Sequence, residues 1–159
     1  MKFLILTVGK LKERYWKDAA AEYVKRLSPY VSLEIAEVAD EKTPDGASAA
    51  QNGQILRKEG ERLMARIPSD AFCVALAIQG KGFSSEEFAL KLEHFRNSGC
   101  KTVVFVIGGS LGLSDEVLER ADLLLSFSRM TFPHQMMRVI LLEQIYRGFR
   151  ILNHEPYHK

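Results

Sequence analysis

The sequence predicts an α/β fold, a mostly parallel sheet with helices on both faces, and three features lead there. Apolar strand-like runs alternate with helical segments five times. Most of those runs carry no polar alternation, as strands buried on both faces require. At 159 residues the chain matches one domain, residues 1–159, and neither a linker nor an internal repeat divides it.

Phe3–Val8 reads as a buried strand closed by Gly9. Glu13 to Leu27 reads as a helix, with Tyr15, Ala19, Tyr23 and Leu27 stacked four apart and Pro29 beyond its end. Val31, Leu33 and Ile35 alternate with Ser32 and Glu34, the pattern of a half-buried strand. Asp40–Gly46 is a polar loop, and a second helix runs from about Ser48 to Ile67, where Pro68 stops it. Phe72–Ile78 is a third strand, followed by a glycine-containing loop at Gln79–Gly82. Ser84 and Glu87 form a capping box for a helix bearing Phe88, Leu92 and Phe95, and Gly99 stands at its C′ position. Thr102–Ile107 is an unbroken apolar strand leading into Gly108–Gly112, and Ser114 caps a short helix. Leu123–Phe127 is a fifth strand. Pro133 opens the first turn of a last helix that reaches about Leu152.

A 47% hydrophobic and 26% charged composition excludes disorder, collagen and a disulfide scaffold. Cys73 and Cys100 lack CxxC spacing and a histidine partner, so they read as buried reduced thiols. The apolar stretch at the amino terminus is too short for a signal peptide, and nothing approaches a membrane span, so a cytoplasmic location is expected. The net charge of +2 does not by itself announce a nucleic-acid partner. Its distribution is uneven: residues 1–30 hold seven basic and three acidic side chains, residues 31–50 one and five, residues 129–159 five and two. Both ends present basic character around an acidic middle.

In open α/β sheets ligands bind beyond the carboxyl ends of the strands. Three such ends stand out here: Gln79–Gly82, Gly108–Gly112 and Ser126–Pro133. Their glycines let backbone approach a ligand and offer N–H and C=O groups. GGSLG lacks GxGxxG spacing, and nothing fits GxxxxGK[ST], HExxH or GxSxG, which leaves out the common phosphate, zinc and nucleophile-elbow chemistries. No His/Cys/carboxylate cluster has ligand spacing, so no metal is expected. The loops suit a ligand read by main-chain groups and lacking a phosphate tail. The last helix is apolar nearly all round through Met136, Met137, Val139, Ile140, Leu141 and Leu142. Such a helix must be covered on every side, which suits burial across a two-fold interface.

The runs FVIGGSLGL (Phe105–Leu113) and LSFSRMTFPHQMMRVILLEQIYRGFRI (Leu125–Ile151), with the terminal PYHK (Pro156–Lys159), resemble the small SPOUT methyltransferases. Within that class the chain is similar to the family that methylates N3 of a pseudouridine in the large-subunit ribosomal RNA. ILTVGKLKERYW (Ile5–Trp16) and LAIQGKGFSSEEFA (Leu76–Ala89) match as well, so the resemblance spans nearly the whole chain. It implies a deep trefoil knot near the carboxyl terminus, which general sheet rules would not propose, and a homodimer. It implies S-adenosylmethionine as cofactor, held by Leu76, by Gly108, and by Phe127, Ser128, Arg129, Met130, Thr131 and Phe132. The implied substrate lies in the helix-69 stem-loop of 23S ribosomal RNA within the assembled ribosome, with no part for DNA or membrane.

The N3 proton must leave before or during attack, so a base or a proton path is expected. The tail offers His154, Tyr157 and His158, while Arg147 and Arg150 can hold phosphate or stabilise charge on the base. The resemblance points to Tyr157 and His158 as functional, and Arg147 joins them as a candidate. Which group is the base stays open. His134 reads as a first-turn residue and His94 as solvent-exposed. On the residues alone two other classes stay open: a nucleotide-binding regulator of α/β fold, and a catalytically inactive ribosome-binding protein.

Overall fold

A computed structural model describes residues 1–159. The chain runs β1 (Lys2–Val8), α1 (Arg14–Leu27), β2 (Ser32–Val38), α2 (Ala49–Met64), β3 (Phe72–Gly82), α3 (Ser85–Asn97), β4 (Thr102–Ile107), α4 (Asp115–Arg120), β5 (Leu123–Ser126) and α5 (His134–Leu152). The five strands form one sheet in the order β2-β1-β4-β3-β5, and every pairing is parallel. Side chains in β1 and β4 alternate between two layers. Phe3, Ile5, Val103, Phe105 and Ile107 face α1, α3 and α5, while Leu4, Leu6, Val8, Val104 and Val106 face α2 and α4. Each such fully buried side chain contributes on the order of 1.5–3 kcal/mol. The expectation of helices on both faces is met.

Several boundaries differ from the sequence reading, for local reasons. β3 does not stop at Ile78. It continues to Gly82 after a register shift between Leu76 and Lys81 against β5. Gly80 permits this, because a Cβ there would stand 2.7 Å from the carbonyl of Leu124. Gln79–Gly82 is thus partly a strand, and Gly80 serves a neighbouring backbone. β5 ends at Ser126, one residue short of Phe127. Ser48 is the N-cap of α2, in a capping box with Gln51 that the sequence reading passed over. The box at Ser84 and Glu87 forms as expected, and Gly99 takes a φ of +75°. Ser114 occupies the N-cap of α4, yet its hydroxyl makes no capping bond. Pro133 is the N-cap of α5, one position before its first turn.

Cys73 is buried, and burial pushes its thiol up to about 11, but Cys100 is only half-buried. His94 is exposed. α5 holds one polar group deep inside: the side chain of Arg138 is 2% exposed. It donates to Glu37 at 2.6 Å, to the Thr7 hydroxyl at 2.7 Å and to the Gly9 carbonyl at 3.0 Å. This ties the first turns of α5 to the ends of β1 and β2, beside the strand exits.

Candidate functional site

The exits of β3, β4 and β5 open into one cavity of about 720 Å³. Leu76–Gln79 line it from β3, Ile107–Leu113 from the end of β4 and its loop, and Leu125–Ser128 from β5. Met130–His134 and Met137 close the remaining side. No Lys, Arg, Asp or Glu stands in this wall, and His134 is its only imidazole. Burial, followed by the charge of Arg138, pushes His134 below the usual histidine range. No grouping of three or more His, Cys, Asp or Glu side chains could hold a metal ion.

The glycine loop folds back on itself. Gly109 and Gly112 form an isolated bridge, and the Gly112 N–H donates to the Gly109 carbonyl at 3.1 Å. A Cβ at Gly108 would stand 2.3 Å from the Gly112 carbonyl oxygen, and Gly112 itself has a φ of +84°. Both positions therefore require glycine, one for close approach and one for handedness. The loop after β5 is braced by short polar contacts. The Ser126 hydroxyl donates to the Ser128 carbonyl at 3.0 Å, and the Met130 N–H donates to the Ser128 hydroxyl at 3.0 Å.

Of the residues expected around the cofactor, the structure brings Leu76, Gly108, Phe127, Ser128, Met130, Thr131 and Phe132 to the cavity wall. Arg129 lies on the same loop but is exposed and outside that wall. The tail residues are elsewhere. The Tyr157 hydroxyl donates to Glu143 at 3.1 Å, and Arg147 donates to the same carboxylate at 2.5 Å while stacking 4.7 Å from the Tyr157 ring centroid. His158 reaches Glu86, at the start of α3, at 2.7 Å, and its other ring nitrogen lies 3.3 Å from Arg147. Tyr157 is pushed above the usual phenol range, first by burial and then by Tyr23 and Glu143, so it stays protonated at neutral pH. Glu86 is held down at about 2, first by its own backbone N–H and then by His158. The tail is fastened as a whole: Arg150 pairs with Glu155 at 2.9 Å and donates to the Pro156 carbonyl at 3.2 Å, while Tyr30 donates to Glu155. A turn at His154, with φ +54°, aims it back along α5.

The cavity and this cluster stand apart on one chain, Arg147 being ten residues along α5 from Met137, roughly 15 Å at the helical rise. Glu143 and Glu86, which organise the tail, were missed by the sequence reading. Glu143 is discoverable as the i,i+4 partner of Arg147, whereas Glu86 meets His158 only through the fold.

The family model described as "Predicted SPOUT methyltransferase" matches residues 1–158. A protein of Carboxydothermus hydrogenoformans named ribosomal RNA large subunit methyltransferase H is 55% identical over 159 residues, covering all of both chains. Its namesake from Bifidobacterium adolescentis is 57% identical over the same full length. Among solved structures, a probable methylase family protein from Haemophilus influenzae superposes with a TM-score of 0.55 at 13% identity, over 99% of this chain and 70% of that one, which speaks for the fold alone. On the full-length family match and these identities, the chain belongs to the SPOUT methyltransferase family.

Proposed function

We propose that the chain, as a single domain, is an S-adenosylmethionine-dependent methyltransferase that modifies N3 of a pseudouridine in the helix-69 stem-loop of 23S ribosomal RNA, on the assembled ribosome. The observation that carries this reading is the cavity: three strand exits, glycine backbone and apolar side chains, and no charged group in the wall. An uncharged adenine suits such a wall, sandwiched by apolar groups with its edge read by main-chain donors and acceptors. A phosphorylated nucleotide suits it less, since no Lys or Arg side chain lines the cavity to meet a phosphate. Relatives named ribosomal RNA large subunit methyltransferase H direct the chemistry toward that RNA.

When bound, S-adenosylmethionine supplies an electrophilic methyl group on a sulfonium, so this chain's task is mainly alignment. Gly108 and the Phe127–Phe132 segment fix the cofactor's depth and direction. Tyr157, His158 and Arg147 meet the RNA, with Arg147 placed to stabilise negative charge as N3 loses its proton. Because cavity and tail cluster stand apart on one chain, the reading includes a homodimer packed through α5. Met136, Met137, Val139 and Ile140 are only half-buried on that helix and remain to be covered. A trefoil knot at the β4–α5 segment and a cytoplasmic location complete it; no helix is long and apolar enough to cross a membrane.

Purified protein, methyl-labelled S-adenosylmethionine and ribosomes from cells lacking this modification test the whole reading. Label mapped to a helix-69 pseudouridine supports it. Label on another nucleotide corrects the substrate, and cofactor binding without transfer removes the enzyme reading.

A further inference from the structure

Beneath the glycine loop, on the side away from the cavity, lies Glu59 of α2, a carboxyl only 4% exposed. One oxygen accepts the Glu41 N–H at 3.0 Å, and the other is buried with no hydrogen-bond partner. A Cβ at Gly109 would stand 3.1 Å from that second oxygen, so the carboxyl sits directly against the loop's backbone. The adjacent Gly60 receives the loop's other end. A Cβ there would stand 2.3 Å from the Ser114 hydroxyl, itself buried and without a partner. Glu59 and Gly60 thus seat both ends of the segment Gly109–Ser114 on one turn of α2.

The same carboxyl reaches the polar loop after β2. Through Glu41 it holds a segment whose Thr43 hydroxyl lies 3.1 Å from the Ser110 hydroxyl, on the glycine loop. Arg62, also on α2, secures that segment at Glu41 (2.8 Å) and at the Ala39 carbonyl (2.9 Å). A buried carboxyl with an empty oxygen is costly, and a fold retains such a group where it performs a task.

We propose that Glu59, together with Gly60, is a positioning residue that sets the shape of the cofactor loop from behind. This rests on the reading of the cavity as the S-adenosylmethionine site. Glu59 does not itself line the cavity and acts through Gly109 and Ser110, which do. Burial raises its pKa above the usual carboxylate value, with the Glu41 N–H opposing and the charges of Asp40 and Glu41 adding to the rise. A glutamine keeps the side chain's shape and an acceptor oxygen for the Glu41 N–H.

The test is calorimetric titration of S-adenosylmethionine into wild type, Glu59→Gln, Glu59→Ala, Gly60→Ala and the double variant Gly60→Ala/Ser114→Ala, with thermal unfolding and ribosome kinetics alongside. Glu59→Ala is expected to weaken binding about tenfold or more and to raise KM for the cofactor in proportion, with kcat at saturation nearly kept, while Glu59→Gln stays close to wild type. Gly60→Ala weakens binding by pressing on Ser114, and the double variant regains part of the loss. Wild-type affinity in a folded Glu59→Ala protein overturns the inference, as does a Glu59→Gln loss equal to that of alanine. Should Glu59→Ala not fold, the Gly60 pair decides: unchanged affinity in Gly60→Ala overturns the proposal. Failure of the wild type itself to bind removes the cavity reading, and this inference with it.

Discussion

The cavity wall at the exits of β3, β4 and β5 contains no Lys, Arg, Asp or Glu, whereas the tail packs Glu86, Glu143, Arg147, Tyr157 and His158 into one hydrogen-bonded cluster. On the proposed function, the first region would recognise by shape, its precision lying in backbone at Gly108, where a single methyl would collide with Gly112. The second would recognise by charge and hydrogen bonding, through side chains that already pair with one another. A transfer from a sulfonium to an imide nitrogen asks for both: a dry, rigid cradle for the donor and a polar surface for an acceptor that must shed a proton. The division of labour predicts that damage to one region spares the other's measurement.

The largest effect is expected at Gly108. Gly108→Val drives a side chain into the Gly112 carbonyl, 2.3 Å from where its Cβ would stand, and should weaken S-adenosylmethionine binding by about a hundredfold or more, read by calorimetry. Next comes the tail. A chain ending after Pro156 should lose about tenfold or more in methyl transfer to ribosomes, with cofactor affinity within about threefold of wild type. A wild-type transfer rate in that truncation would merge the two regions' roles into the cavity alone.

Arg138 lies under the start of the helix that joins both regions. Arg138→Met removes a nearly buried guanidinium and leaves Glu37, 30% exposed, without its partner. Urea unfolding should show a loss of about 2–3 kcal/mol, less than for a fully buried pair because water still reaches Glu37. The smallest effect is a pH dependence at Glu86. Its carboxyl is held at about 2 in the folded chain, below the ordinary value near 4.5, so its stabilising contribution is complete above 4.5 and fades as pH falls toward 2. Over that window the wild type should lose more thermal stability than Glu86→Gln, and parallel curves would show that the lowered carboxyl, held by its own backbone N–H and by His158, contributes nothing.

The strand–helix alternation was readable because each buried strand and amphipathic helix writes its environment into a local period. The cavity was readable for a related reason: glycines at strand exits mark tight backbone, and here Gly108 packs against the backbone of Gly112 while both line the cavity. The same cue misled at Gly80, where the close neighbour is Leu124 of β5 and not a ligand. One glycine cannot announce which it serves. Arg138, flanked by apolar residues, gave no local sign that it would be buried against Glu37 and Thr7, more than a hundred residues away. Glu59 was equally silent, one more charge on a helix until Gly109 came to rest on it.

By itself the sequence determined the order of strands and helices and which strand exits carry glycines, because these depend on side chains a few residues apart. Only the tertiary structure decided which buried charges meet, that Glu59 and Gly60 lie against Gly109 and Ser114, and that the tail gathers around Glu143. Those contacts join residues far apart in sequence, and their energies exist only once the sheet order and helix packing have brought them within hydrogen-bond reach.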